Sequence, residues 1–171
     1  AGAWPLAAGG DHLITLPVLR GTVDPANPVG LIHFDAHPDT HDEIFGTKLN
    51  HATPFRRAIE EGLVDPKRHV MIGLRGTTRE TDAAIDWAAE QGVTMMDIDE
   101  CYDLGPKAVA EKASAIAGGG PVYVTLDVDG VDPADMPGTG SPEPGGLRMR
   151  DMQVILRGLS GLDIVGGDVN E

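Results

Sequence analysis

The feature that most constrains this chain is a regular alternation of short apolar runs, rich in β-branched residues, with amphipathic stretches. The runs are Val29 to Phe34, Val70 to Leu74, Val93 to Met96, Val122 to Leu126 and Asp163 to Gly166. Uninterrupted apolar runs of this length suit strands covered on both faces, as in a parallel sheet. Between them, Pro54 to Glu61, Arg79 to Gln91, Lys107 to Ala117 and Met149 to Gly158 read as helices. The alternation predicts an α/β fold, a three-layer αβα sandwich around a mainly parallel sheet with right-handed crossovers. No internal repeat, low-complexity tract or linker composition interrupts it, so residues 1–171 are expected to form a single domain. Pro133 to Gly146, PADMPGTGSPEPGG, holds too much proline and glycine for a helix or central strand and is predicted to be a long loop just after a strand. Ordered loops of that length are uncommon without a task, so it either helps shape a site or subunit contact or is an exposed connection.

Charge and cysteine usage narrow the function classes. A net charge of −14, with no basic cluster beyond Arg56-Arg57, argues against nucleic acid and favours metal cations and cationic substrates. No run approaches the ~20 apolar residues that cross a bilayer, and AGAWPLAAGGDH lacks the basic start of a secretory leader, so no membrane partner and a cytoplasmic setting are expected. The single cysteine, Cys101, has no partner for a disulfide or a zinc finger and reads as a buried structural thiol.

Three segments place acids and imidazoles at the carboxyl ends of predicted strands, where open α/β sheets build their sites. The first is Gly9-Gly10-Asp11-His12. The second, Asp35-Ala36-His37-Pro38-Asp39, follows the strand ending at Phe34. In an extended stretch alternate residues share a face, which would let Asp35, His37 and Asp39 converge. The third is Asp127-Val128-Asp129, which ends the strand begun at Val122. Two carboxylates so close at the end of an apolar strand repel each other and are costly to desolvate unless a cation lies between them. Alone they could be turn formers facing solvent. With all three segments at strand ends, His12, Asp35, His37, Asp39, Asp127 and Asp129 supply enough ligands for two divalent ions. Oxygen-rich ligation with one imidazole per ion and no thiolate suits Mn²⁺, with Ni²⁺, Co²⁺ or Zn²⁺ also compatible. His33, His41 and His69 read as structural histidines, and Asp132, before Pro133, as a turn former or a partner to a ligand.

GGDH at Gly9 to His12, DAHPD at Asp35 to Asp39, LDVDGVDPADMPGTGSPEPGGL at Leu126 to Leu147 and the closing DIVGGDVNE resemble the ureohydrolases, the family of arginase, agmatinase, guanidinobutyrase and guanidinopropionase. These motifs run the length of the chain, and the third is long and specific. NHATPFRRA at Asn50 to Ala58 is nearer the agmatinase and guanidinobutyrase branch than arginase. The resemblance implies that His12, Asp35, Asp39 and Asp127 hold one ion and His37, Asp35, Asp127 and Asp129 the other, with Asp35 and Asp127 shared. It implies that His51 moves a proton near the leaving group and that Glu171 pairs with the substrate guanidinium. The reaction implied is hydrolysis of a small cationic guanidino compound (agmatine, guanidinobutyrate, guanidinopropionate or similar) to urea and an amine, in a homo-oligomer, a trimer or hexamer. The chemistry is coherent. A guanidinium carbon shares its charge with three nitrogens and resists neutral water, whereas a pair of divalent ions can hold water as hydroxide near neutral pH. A carboxylate can orient the planar substrate through paired N–H bonds, and histidine as a residue type titrates in the right range to protonate the departing amine.

Leu13 stands where the family usually has serine, and Ala52 where agmatinase-like members have glycine; neither change removes a ligand. Family members are considerably longer, so the chain reads as an internal part of the arginase-like domain, incomplete at both ends, and is expected to be poorly stable alone because sheet edges and apolar faces lie open. Two other readings stay open. A single-zinc deacylase on a related fold needs only one Asp-His-Asp set, and a catalytically silent ureohydrolase-like subunit would bind metal without turnover.

Overall fold

The computed structural model describes residues 3–76 and 83–171. Six strands, β1 (Leu6–Ala8), β2 (Val29–Phe34), β3 (Val64–Leu74), β4 (Thr94–Asp97), β5 (Val122–Asp127) and β6 (Ile164–Asn170), form one sheet in the order β1-β6-β5-β2-β3-β4. Every described pairing between these six strands is parallel. The helices are α1 (Thr15–Thr22), α2 (Pro54–Glu60), α3 (Ala83–Gln91), α4 (Ile98–Leu104), α5 (Pro106–Ala117) and α6 (Met149–Gly158). The start of the helix expected from Arg79, residues 79–82, lies outside the described residues. No described helix is long and apolar enough to cross a membrane.

Strand periodicity sorts the core into two layers. Ile32, Phe34, Val70, Ile72 and Val122 face α5 and α6, where Val109, Ala113, Met152 and Ile155 close over them. Leu31, Val64 and Tyr123 point the other way, toward Leu16 and Leu19 of α1 and Phe55 and Ala58 of α2. Because both faces of β2 are covered, all six of its residues are buried, as its unbroken apolar run requires. Truncating Ile155, fully buried at the centre of the first layer, would cost about 2–5 kcal/mol through lost burial and the cavity left behind.

The chain leaves β2 toward β3 and β4, then returns to place β5 on the other side of β2 before moving out to β6. The direction of winding therefore reverses between β2 and β5, and a crevice opens at their carboxyl ends. Phe34 is in register with Leu126, so Asp35 and Asp127 emerge side by side there. The next tips continue the row: Asp127 pairs with Asn170 of β6, and Ala8 of β1 pairs with Val169. Trp4, Leu6 and Val169 are exposed large apolar residues on the β1 side of the sheet.

Candidate metal centre

The three motifs meet in the crevice. Gly9 and Gly10 carry the chain past the tip of β6, with Gly9 N donating to Val169 O and Glu171 N donating to Gly10 O. Asp11 then caps a single 3-10 turn, accepting from Leu13 N, and this turn presents His12 inward. His12 Nδ1 lies 3.2 Å from Asp35 Oδ2, 2.9 Å from Asp39 Oδ2 and 3.2 Å from Asp127 Oδ2. On the other side of Asp35, His37 Nδ1 is 3.5 Å from Asp35 Oδ1 and 2.9 Å from Asp129 Oδ2. The two oxygens of Asp35 thus face two different imidazoles, the arrangement a shared carboxylate needs.

The second motif converges for a different reason than strand alternation. β2 ends at Phe34, and Asp35 to Asp39 form a bent segment rather than an extended one. His37 N folds back to donate to Asp35 Oδ1, and Asp39 adopts φ 48°, a left-handed conformation that Asp tolerates better than most residues. Asp129 arrives similarly, in a 3-10 turn capped by Asp127, whose Oδ1 accepts from Asp129 N. Gly130 lets this turn press against β2, since a Cβ there would lie 3.0 Å from Asp35 N.

His12, Asp35, Asp39, Asp127 and Asp129 are all buried, yet no lysine or arginine side chain is described in an ion pair with them. Burial opposes a proton on His12, but the carboxylates of Asp127, Asp35 and Asp39 outweigh it and raise its pKa well above the ordinary histidine value. His37 is raised to about 11, chiefly by Asp129 and then Asp35. Burial pushes Asp39 up to about 7, with the charge of Asp35 adding to it. Burial likewise lifts Asp129 to about 7, against the pull of His37. Asp35 goes the other way: burial resists its ionisation, but the imidazoles of His12, His33 and His37 around it hold it well below the usual carboxylate range. Acids that retain protons and imidazoles that will not release them mark a site short of positive charge. His12 Nδ1 makes the same point geometrically, because it is buried among three carboxylate oxygens and has no hydrogen-bond partner. Once that nitrogen gives up its proton, its lone pair points into a ring of carboxylates, which fits a divalent cation.

His51 and Glu171 line the same crevice at its exposed rim, along with His41, Arg75 and Ser141. His51 Nδ1 is 3.9 Å from Asp11 Oδ2. Glu171 Oε2 accepts from the Thr139 hydroxyl and, at 2.8 Å, from Gly140 N. The loop 133–146 therefore holds a rim residue, and its Ser141 donates to Asp129 Oδ2 at 3.2 Å. Arg75 fastens that loop by donating to the Glu143 carbonyl, and Asp132 clasps its base, accepting from Ala134, Gly145 and Gly146 N–H groups as a turn former does.

Two of the histidines read as structural, His33 and His69, are fully buried within strands. His33 touches the cluster, its Nε2 lying 2.8 Å from Asp35 Oδ2, because residues 33 and 35 share a face. His69 is fully buried with neither ring nitrogen hydrogen-bonded among the described residues, and burial keeps it neutral by lowering its pKa well below the ordinary value. Cys101 is buried as expected, which pushes its thiol up to about 12. Asp168 lies beyond the apolar run that ends at Gly166, and pairing with β5 extends the strand to Asn170 and brings its carboxylate onto the face it shares with Asn170.

The profile of the Arginase family matches residues 1–171. A guanidinopropionase of Pseudomonas aeruginosa is 49% identical over 172 residues, covering 100% of this chain and 54% of its own length. A guanidinobutyrase of the same organism is 46% identical, with 99% and 53% covered. The structure of proclavaminate amidino hydrolase from Streptomyces clavuligerus superposes with a TM-score of 0.89 at 42% identity, over 97% of this chain and 55% of that one. The chain spans about half the length of these relatives. Since the family match and these similarities run through every strand and through all three motifs that meet in the crevice, this chain belongs to the arginase family.

Proposed function

We propose that the intact protein is a two-metal hydrolase that cleaves a small guanidino compound to urea and an amine. The observation that carries this reading is His12 Nδ1, buried without a hydrogen-bond partner and ringed by oxygens of Asp35, Asp39 and Asp127. On this reading His12, Asp35, Asp39 and Asp127 hold one ion, and His37, Asp35, Asp127 and Asp129 the second, Mn²⁺ being the first choice and Ni²⁺ or Co²⁺ the next. When bound, such ions supply the acidity that makes water a competent nucleophile near neutral pH.

The chain's own residues do the rest. Thr139 and Gly140 hold the carboxylate of Glu171 at the rim, where it can pair with a planar guanidinium and orient its carbon toward the cluster. His51, which lines the same crevice, would give a proton to the departing amine, which is a poor leaving group without one. Ser141 steadies Asp129 through its hydroxyl. The names of the relatives, guanidinopropionase and guanidinobutyrase, put guanidino acids beside agmatine as the first substrates to try.

The test is metal analysis together with urea release from agmatine, guanidinobutyrate and guanidinopropionate, with Mn²⁺ and then Ni²⁺ supplied to the intact protein. Two ions per chain and urea from one substrate are expected. One ion per chain would favour the single-zinc deacylase, and metal binding without urea from any substrate would favour the silent subunit.

A further inference from the structure

Beneath His12, on the face away from the ion positions, lies a buried polar cluster that the proposed chemistry does not use. Register places Asp168 of β6 beside Thr125 of β5, and Asp168 is buried. Three donors close on its carboxylate: the Tyr123 hydroxyl at 2.7 Å from Oδ2, and Asn170 Nδ2 at 2.7 Å and the Thr125 hydroxyl at 2.5 Å from Oδ1. Tyr123 reaches it by laying its ring over Gly166, where a Cβ would come within 2.7 Å of the ring. Thr125 Oγ1 is also 2.9 Å from His12 Nε2.

A proton count along this chain of contacts has one solution. A carboxylate only accepts, and a threonine hydroxyl has one proton. Thr125 gives that proton to Asp168 and turns a lone pair toward His12. A lone pair facing Nε2 requires Nε2–H, so when the imidazole is neutral its own lone pair sits on Nδ1, the atom facing Asp35, Asp39 and Asp127. Were residue 168 apolar, Thr125 could donate to Nε2 instead, which would select the opposite tautomer and put a proton on the metal side. We propose that Asp168 is a positioning residue that acts through Thr125 to fix the His12 tautomer, so that Nδ1 is presented as a ligand. The proposal rests on the two-metal reading above.

Supporting partners of metal-bound histidines are worth roughly 10- to 100-fold in metal affinity. In the intact protein, Mn²⁺ titration should therefore show Thr125→Val and Asp168→Asn each weakening one of the two sites by about tenfold or more, whereas Thr125→Ser, which keeps the hydroxyl, restores it. If Asp168 acts through Thr125, the double variant binds no more weakly than Thr125→Val alone. Losses that multiply in the double variant, or wild-type affinity in Thr125→Val, would overturn the proposal. A second readout is the His12 Nε2–H proton resonance in histidine-labelled protein. It should move upfield in Asp168→Asn as Thr125 becomes a less polarised acceptor, and an unmoved resonance counts against the relay. That resonance can be read without metal or substrate, so a wild-type protein that binds no metal would sink the hydrolase reading while leaving the hydrogen-bond relay separately decided.

Discussion

The strand-end cluster and the crevice rim are built in opposite ways. His12, Asp35, Asp39, Asp127 and Asp129 are buried and sit on or just past strand tips whose spacing the sheet register sets. His51 and Glu171 are exposed: Glu171 also follows a strand tip, one residue past β6, but its carboxylate is held by the loop through Thr139 and Gly140, and His51 lies in the segment between Asp39 and α2. The difference suits the two tasks proposed above. Mutually repelling carboxylates need a stiff frame to stay within reach of a shared cation, whereas groups that meet substrates of different length can sit where loops vary without disturbing that frame.

The largest expected effect breaks the buried half. Asp127→Ala removes a carboxylate proposed to serve both ions, so metal content should fall and urea release should drop by more than the roughly 100-fold that changes to supporting groups cost. Retention of two ions per chain, measured by elemental analysis, would remove Asp127 from the ligand set. At the rim, His51→Ala should lower kcat by about 10²–10⁴-fold, the usual worth of a general acid, with metal content unchanged. Loss of metal in that variant would erase the distinction between rim and cluster. Glu171→Gln should cost about 10- to 100-fold in kcat/KM, the weight of a charge-assisted bond, again with metal retained. An equal loss for agmatine, guanidinobutyrate and guanidinopropionate would place Glu171 at the guanidinium end they share.

The smallest effect concerns pH. His37, raised to about 11, stabilises the metal-free fold most fully below its unfolded pKa of about 6.5, and that contribution is lost as pH rises toward 11. Asp39 and Asp129, raised to about 7, bind protons more tightly folded than unfolded, so the metal-free fold also loses stability as pH rises from about 4 to 7. Both trends have the same sign. Buried His69, kept neutral, works the other way below about pH 6.5, so it is above about pH 7 that the metal-free protein should melt at lower temperature as pH rises, and the Tm increase on adding Mn²⁺ should be larger at pH 8.5 than at pH 6 because bound ligands must shed protons. A Tm increase independent of pH would show that the cluster does not take up protons in place of the ion.

Elements with a strong local period were legible. Val29–Phe34 and Met149–Gly158 were expected with the bounds the structure gives. Those that depend on neighbours were not. β1 is only Leu6-Ala7-Ala8 and exists as a strand through its pairing with β6. α1, TLPVLRGT, contains Pro17, Gly21 and two threonines, all poor in helix interiors, and is carried by the burial of Leu16 and Leu19. α4 did carry a signal, since Asp97 caps it and Glu100 stands three residues on. β3 begins earlier than its apolar run, at Val64, and β6 runs past Gly166 to Asn170, which brings Asp168 into the sheet.

Sequence alone determined the parallel α/β layering and picked out the six acids and imidazoles that meet in the crevice, because a two-sided core and charged groups at the ends of apolar strands both stand out from their neighbours. Only tertiary structure decided how those six approach one another. Asp35 and Asp127 become neighbours because winding reverses between β2 and β5, and that adjacency lies in the pairing of strands about ninety residues apart rather than in either motif. The relay from Asp168 through Thr125 to His12 is hidden for the same reason. Each of its bonds crosses between segments distant in sequence, where local periodicity carries no information.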